Sequence, residues 1–260
     1  MHVFGIDVGG SGIKGAIVDV VSGKLITERK RLPTPPGAKP EEVAKVINDL
    51  LKMHGWTGPV GVGFPSVVIS GVIHTAANID SGWIGINGET YLHEVTGCPV
   101  YALNDADAAG LAEMNFGSGR EYQKGVVLVL TLGTGIGSAI FTNGVLLPNT
   151  EFGHLIIRGK DAEKRASAAV RVMKKLSYKQ YAKRLQEYLS EMEKLISPDV
   201  IIIGGGISKD SAKFFPYLST RAKLITAHFL NHAGVIGAAY YAGQCSLASQ
   251  NIAGENSAVG

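Results

Sequence analysis

Gly10-Ser11-Gly12-Ile13-Lys14-Gly15-Ala16-Ile17-Val18 returns 123 positions later as Gly133-Thr134-Gly135-Ile136-Gly137-Ser138-Ala139-Ile140-Phe141. Each copy follows an apolar run that reads as a strand, Val3 to Val8 in one case and Val126 to Leu132 in the other. Two strand-turn-strand units of this kind imply a duplicated α/β domain, with the two turns expected to face each other across a cleft. Glycines let successive backbone N–H groups point at oxygens without obstruction, so a ligand spanning both turns is most simply a phosphate chain.

Two other phosphate motifs fail on context. Gly10-x-Gly12-x-x-Gly15 fits the dinucleotide fingerprint only where the glycines open a helix. Here Ala16-Ile17-Val18-Asp19-Val20-Val21 is β-branched and stops at Ser22-Gly23, so the turn leads into a second strand. The Walker pattern fails because Lys14 is followed by Gly15 and not by Ser or Thr. An ordinary glycine hairpin accounts for either turn alone, but not for the repetition.

With 260 residues, 45% of them hydrophobic and 18% charged, the chain has globular composition and enough length for one large or two modest domains. No apolar run reaches the ~18 residues of a membrane span. The N-terminus enters a strand at once, leaving no room for a signal peptide. Cys98 and Cys245 supply neither a disulfide framework nor a metal cluster. A cytoplasmic protein without a membrane partner is the expectation.

The net charge of +3 hides an uneven distribution. From Arg158 to Arg184 there are ten basic residues against two acids, Asp161 and Glu163, which leaves the rest of the chain at −5. Such a segment either attracts a polyanion or coats a solvated helix face.

Leu32-Pro33-Thr34-Pro35-Pro36-Gly37 reads as a loop, and Glu41 to His54 as an amphipathic helix stopped by Gly55. Val60 to Pro65 reads as a buried strand delivering Ser66, followed by a loop through Asn78 and Trp83. Val100 to Leu103 is a short strand ending in Asn104-Asp105-Ala106-Asp107, where alanines favour a helix and the acids suit its first turn. Ala166 to Ile196 has helical periodicity, Val200 to Ile203 is a strand, and Gly204-Gly205-Gly206 forms a third glycine turn. A last helix is expected over roughly 233–243. The expected division is a small domain of 1–108 plus 233–245, a large domain of 109–232, and a flexible tail of 246–260.

Asp105 is the candidate catalytic base: a carboxylate leaving a strand end can accept a proton from a hydroxyl as that hydroxyl attacks phosphorus. The alternative reading is an N-cap aspartate. Asp7 is expected in the first turn, where it would hold Mg²⁺ through water beside donor phosphates, or would simply form the turn.

Four stretches together resemble the ROK sugar kinases of the actin/hexokinase superfamily: Asp7 to Gly15, Asn104 to Ala109, Leu132 to Gly137, and Glu151-Phe152-Gly153-His154. Their order and spacing match to about Gly243. Within the family, Thr75 to Asp80, Pro148 to Glu151 and Asp161 to Ser167 resemble members that phosphorylate glucose from inorganic polyphosphate. The resemblance implies a two-domain ribonuclease-H-like α/β fold, a homodimer, and transfer from polyphosphate, with ATP as a second donor, to the 6-hydroxyl of glucose. Domain closure would exclude water as a competing acceptor. A strictly ATP-dependent hexose kinase and a non-catalytic sugar sensor are the rival readings.

By the same resemblance, Asn78, Asn104, Asp105, Glu151, His154 and Glu163 would contact glucose, as carboxylates can accept bonds from vicinal hydroxyls. Gly9, Gly10, Ser11, Gly12, Lys14, Thr134, Gly135, Gly205 and Gly206 would hold the phosphate donor. The family's cysteine-rich zinc site is missing from Leu155 to Glu163, so no structural zinc is expected and His154 loses a ligand role. The repressors of the family carry an N-terminal helix-turn-helix, which has no counterpart ahead of His2, so nucleic acid is not an expected partner.

Overall fold

The computed structural model describes the backbone of residues 1–258 and the side chains of residues 1–251. The chain divides into two compact units, Met1–Ala112 with Gly234–Gly260, and Glu113–Ala233.

In the first unit β1 (His2–Gly9) and β2 (Gly12–Asp19) form the antiparallel hairpin read from the first turn, followed by the short strands β3 (Lys24–Leu25) and β4 (Lys30–Leu32). Helix α1 (Pro40–Met53) leads to β5 (Val60–Phe64), a small ribbon of β6 (Val68–Ile69) and β7 (Val72–Ile73), α2 (Gly88–Thr96), β8 (Val100–Asn104) and α3 (Asp105–Phe116). The sheet order is β3-β2-β1-β5-β8 with β4 added to β2, and β1, β5 and β8 run parallel. Proline at the start of α1 suits a position whose N–H has no helical partner, and Val43, Ile47 and Leu50 bury one face against Phe4, Ile6 and Val62. Trp83 is fully buried, sits edge-on to Phe64, and donates from Nε1 to the Ala38 carbonyl at 3.0 Å. Burying such a ring contributes about 1.5–3 kcal/mol.

The long final helix α7 (Ala233–Ala258) lies directly on this sheet. A Cβ at Gly5 would overlap the Val235 carbonyl, one at Gly61 the Ala238 carbonyl, and one at Gly237 the Ala108 carbonyl. Backbone therefore meets backbone at three places. The helix does not end near Gly243: its Ala-, Ser- and Gln-rich continuation contains no proline and carries it to Ala258 where a flexible tail was expected. The last two residues of that expected tail lie outside the described residues.

The second unit repeats the pattern. Strands β9 (Val126–Leu132) and β10 (Ile136–Thr142) form the second hairpin, extended by β11 (Val145–Leu147). After a ribbon of β12 (Ile156–Ile157) and β13 (Lys160–Asp161) come α4 (Glu163–Ala166), α5 (Ala168–Met173), α6 (Tyr178–Ile196), β14 (Val200–Gly204) and β15 (Lys223–Thr226). The order β11-β10-β9-β14-β15, with β9, β14 and β15 parallel, copies β3-β2-β1-β5-β8 strand for strand. The duplication thus covers whole sheets, the ribonuclease-H-like arrangement.

The periodic stretch from Ala166 is not one helix. Ser177 accepts from the Gln180 N–H while the Gln180 side chain bonds back to the Ser177 N–H, a capping box that starts α6 afresh. Lys175, at φ 51°, makes the break.

Candidate active site

The first hairpin closes at Gly9 opposite Gly12, leaving Gly10 and Ser11 as a two-residue turn. Asp7 is not in this turn as expected. Strand pairing runs on through Gly9, which places Asp7 inside β1 directly opposite Lys14. Lys14 Nζ lies 2.6 Å from Asp7 Oδ2. Arg31, paired opposite Lys14 on β4, donates to the Ser11 carbonyl and occupies the space a Cβ on Gly12 would need. This cation at the turn was missed in the sequence, because nothing local links Arg31 to residues twenty positions earlier. On the other side of Asp7, a Cβ at Gly234 would stand 3.1 Å from Cγ, so the first turn of α7 abuts the carboxylate.

Asp7, Gly63 and Leu103 share one register across β1, β5 and β8, which brings Asp7 and Asp105 to the same end of one sheet. The N-cap of α3 is Asn104. Its side-chain oxygen accepts from the N–H groups of Ala106 at 2.9 Å and Asp107 at 3.1 Å, and its amide donates to the Ser66 carbonyl at 3.0 Å. Asn104 is 5% exposed, and both ends of its amide are engaged at the helix start. The Ser66 hydroxyl is buried beside it with no hydrogen-bond partner among the described residues. Asn78 is exposed in the loop after β7, whose base is pinned near Ser66 by hydrogen bonds from His74 N–H to the Val67 carbonyl and from Val67 N–H to Thr75 Oγ1.

In the second unit Gly133-Thr134-Gly135 joins Leu132 to Ile136 as a three-residue loop. The third turn lies beside it: Gly205, at φ 79°, packs so closely on the Leu132 backbone that a Cβ would overlap it. The first turn of α5 is tied to the second glycine turn by a hydrogen bond from Ala169 N–H to the Gly133 carbonyl, 3.0 Å long. Gly10, Gly133 and Gly206 have ordinary φ values, and no atom stands within 4 Å of the place a Cβ would take on any of them. Among the described glycines with such open space, every other one has a positive φ that accounts for it. Neither strain nor packing within the chain thus calls for glycine at these three positions, each in a glycine-rich turn.

Glu151, His154, Asp161 and Glu163 come together as a polar group. His154 Nε2 is 3.9 Å from Glu151 and its Nδ1 is 3.6 Å from Asp161, while Lys164 holds Asp161 at 3.0 Å. The Glu163 carboxylate lies against Gly135, filling the place of a Cβ there, so the residue expected at the sugar touches the residue expected at the donor. Burial pushes the Glu151 carboxyl above its ordinary value; His154 opposes this and Glu163 adds to it. The hydrogen bond from Lys164 holds Asp161 below the usual carboxylate range. Asp161, not foreseen as a site residue, completes a group of possible metal ligands with His154 and Glu163, all within 4.8 Å of one another.

The basic segment is less open than its count suggests. Arg158 and Arg165 both pair with Glu187, which lies beyond the segment, and Lys164 pairs with Asp161.

Known proteins resemble this chain over most of its length. The ROK family model matches residues 3–171. The chain is 50% identical to a polyphosphate glucokinase of Mycobacterium tuberculosis over 239 residues, 92% of this chain and 90% of the relative. It superposes on the inorganic polyphosphate/ATP-glucomannokinase of Arthrobacter sp. strain KM with a TM-score of 0.90 and 46% identity, covering 94% of this chain and 98% of the other. A ROK family glucokinase from Streptomyces griseus, solved with glucose and AMPPNP, shares the fold at a TM-score of 0.79 and 23% identity, over 94% and 100% of the two chains. This chain belongs to the ROK family.

Proposed function

We propose that the protein is a glucokinase transferring the terminal phosphoryl group of inorganic polyphosphate, and also of ATP, to the 6-hydroxyl of glucose. The observation that carries this reading is 50% identity to a polyphosphate glucokinase across 92% of the chain. The open glycines at all three turns and the strand-end carboxylate support it from the geometry.

Asp105 accepts the proton of the 6-hydroxyl as its oxygen bonds to phosphorus and the bridging oxygen of the donor leaves with its electron pair. Glu151, His154 and Glu163 accept and donate hydrogen bonds at the sugar hydroxyls, Asn104 fixes the helix start that presents Asp105, and Asn78 borders the sugar. Backbone N–H groups of Gly9, Gly10, Ser11, Gly12, Thr134, Gly135, Gly205 and Gly206, with Lys14, hold the donor. Asp7 would meet a hydrated Mg²⁺ through water from its half-buried carboxylate, whose Oδ2 pairs with Lys14 and leaves Oδ1 as the hard oxygen facing the ion's water. When bound there, the ion would neutralise charge on the donor phosphates. A homodimer is the assembly the family likeness supports. No helix among the described residues is long and apolar enough to cross a membrane, in keeping with a cytoplasmic enzyme.

Initial rates of glucose 6-phosphate formation with polyphosphate and with ATP, at matched phosphate concentration, test the reading. Turnover with both is expected. Turnover with ATP alone would make it a strictly ATP-dependent hexose kinase, and none with either a sugar sensor.

A further inference from the structure

Two short helical runs adjoin the glycine turns of the second unit, and each carries a cation to the same tyrosine ring. Helix α5 is bonded to the second turn through Ala169, and Arg171, two residues on, lays its guanidinium 3.8 Å from the centroid of the Tyr178 ring. The 3₁₀ run Gly206–Lys213 begins at the third turn and ends on Lys213, whose Nζ is 5.3 Å from that centroid. The two turns are adjacent through the contact of Gly205 with Leu132.

The charges here do not cancel. Arg171 makes no ion pair among the described residues, and its Nε is buried without a hydrogen-bond partner. The nearby Tyr181 hydroxyl is likewise buried without one. One acid, Asp210, lies at the cluster; Lys213 pairs with it at 2.8 Å, and Tyr178 and Lys209 also act on it. Arg171, Lys209 and Lys213 therefore stand against one carboxylate. A half-buried guanidinium lacking a counter-ion is unfavourable, and a tyrosine face offsets only part of that cost. Elsewhere in the basic segment Arg158, Arg165 and Lys164 have carboxylate partners. Arg184 also lacks a carboxylate partner among the described residues and bonds the Arg165 carbonyl instead, whereas Arg171 lies two residues from the Ala169 bond to the second glycine turn.

We propose that Arg171 and Lys213 form a distal anion subsite that holds phosphoryl groups of a long polyphosphate lying several units beyond the one transferred. The proposal rests on the reading of the protein as a polyphosphate-using kinase. A linear polyphosphate carries charge along its whole length and reaches past the turns, whereas ATP ends in an uncharged base and sugar after three phosphates. The subsite therefore favours the long donor over the nucleotide.

The test compares the unaltered protein with R171Q and K213Q. The ratio of kcat/KM for long-chain polyphosphate to kcat/KM for ATP is expected to fall about tenfold in either variant, with a salt dependence of polyphosphate binding shallower by about one unit of log–log slope per charge removed, by analogy with nucleic acids. Anisotropy of end-labelled polyphosphate, measured without glucose, gives the binding arm. Lys213 is 58% exposed, so K213Q keeps the fold even where R171Q loosens α5, and thermal midpoints identify that case. Equal losses for the two donors, or a larger loss for ATP, which would put the nucleotide base on Tyr178, overturn the subsite. If the unaltered protein uses no polyphosphate, the functional reading fails and the subsite with it; if it does and the ratio is unchanged, the subsite alone fails.

Discussion

Asn104 caps the helix that Asp105 begins. The capping oxygen reaches the N–H groups of Ala106 and Asp107, and the amide nitrogen of the same side chain holds the Ser66 carbonyl at the end of the neighbouring strand. The side chain of Asn104, the residue before the acid, thus caps the helix. An amide does both jobs because it offers a donor and an acceptor on one planar group, which a carboxylate cannot. Asn104 fixes the helix start, and Asp105 opens its first turn.

Replacing Asp105 by Asn should therefore lower turnover by about 10²-fold or more, because the amide keeps the shape but cannot take the proton. Glucose affinity should stay within about tenfold, as the change is aimed at the transition state. Steady-state rates and calorimetry read the two quantities. Near-normal turnover would remove Asp105 from the mechanism.

Asn104→Asp should lose the bond to Ser66, where a carboxylate would face a carbonyl oxygen, while keeping the helix cap. Asn104→Ala loses both. Thermal melts should show the alanine variant destabilised by about 1–3 kcal/mol and the aspartate variant by less. Both should lose kcat more than glucose KM. If KM alone changed, Asn104 would be a sugar ligand and not a positioning residue.

The duplicated hairpins were legible because glycine repetition and β-branched runs are local signals, and they led directly to the fold. Helix α2 was not read, although Asn87 caps it and Gly97 ends it at φ 72°, because its nine residues bury only Gly88 and Leu92 and show little periodicity. Asp161 and Arg31 escaped for a different reason. Their roles depend on His154 and on the Ser11 carbonyl, partners made neighbours by β-pairing between distant residues. Asp7 was assigned to the wrong element because sequence does not show how far hairpin pairing continues towards a glycine turn.

The raised Glu151 carboxyl predicts an acid limb for glucose binding. As pH falls, Glu151 takes up its proton sooner than an ordinary glutamate and becomes a weaker acceptor for the sugar hydroxyls it would hold, so glucose KM should rise while donor KM does not. The same shift means that the folded state binds this proton more tightly than the unfolded chain, so this group adds stability as pH drops through its folded value. E163Q removes the charge that helps raise it and should move the acid limb to lower pH. A limb that stayed in place would disconnect it from Glu151.

Activity should require Mg²⁺, yet purified protein should contain no stoichiometric zinc. His154, Asp161 and Glu163 stand close enough for a cation, but the Lys164 ammonium already occupies Asp161, and no cysteine is at hand to supply a thiolate. Elemental analysis decides this, and one zinc per chain would reassign the group as a metal centre.

The three open glycines give the sharpest separation of stability from function. Gly10→Ala, Gly133→Ala and Gly206→Ala place a methyl where no atom of the chain stands within 4 Å, at residues without positive φ. Each should leave the fold unchanged or stabilise it by about 0.4–1 kcal/mol, because alanine restricts the unfolded chain. Yet each should raise donor KM by about tenfold, since a methyl would crowd phosphate oxygens brought against the backbone. Gly5→Ala, Gly61→Ala and Gly237→Ala are the counterpart: their methyls would strike the carbonyls of Val235, Ala238 and Ala108, and overpacking of this kind costs about 1–3 kcal/mol or more. Chemical denaturation and donor titration on the six variants should sort them into two groups with opposite signatures. If the first three lost stability without weakening donor binding, the glycines at the turns would be structural and the phosphate role of those turns would fall.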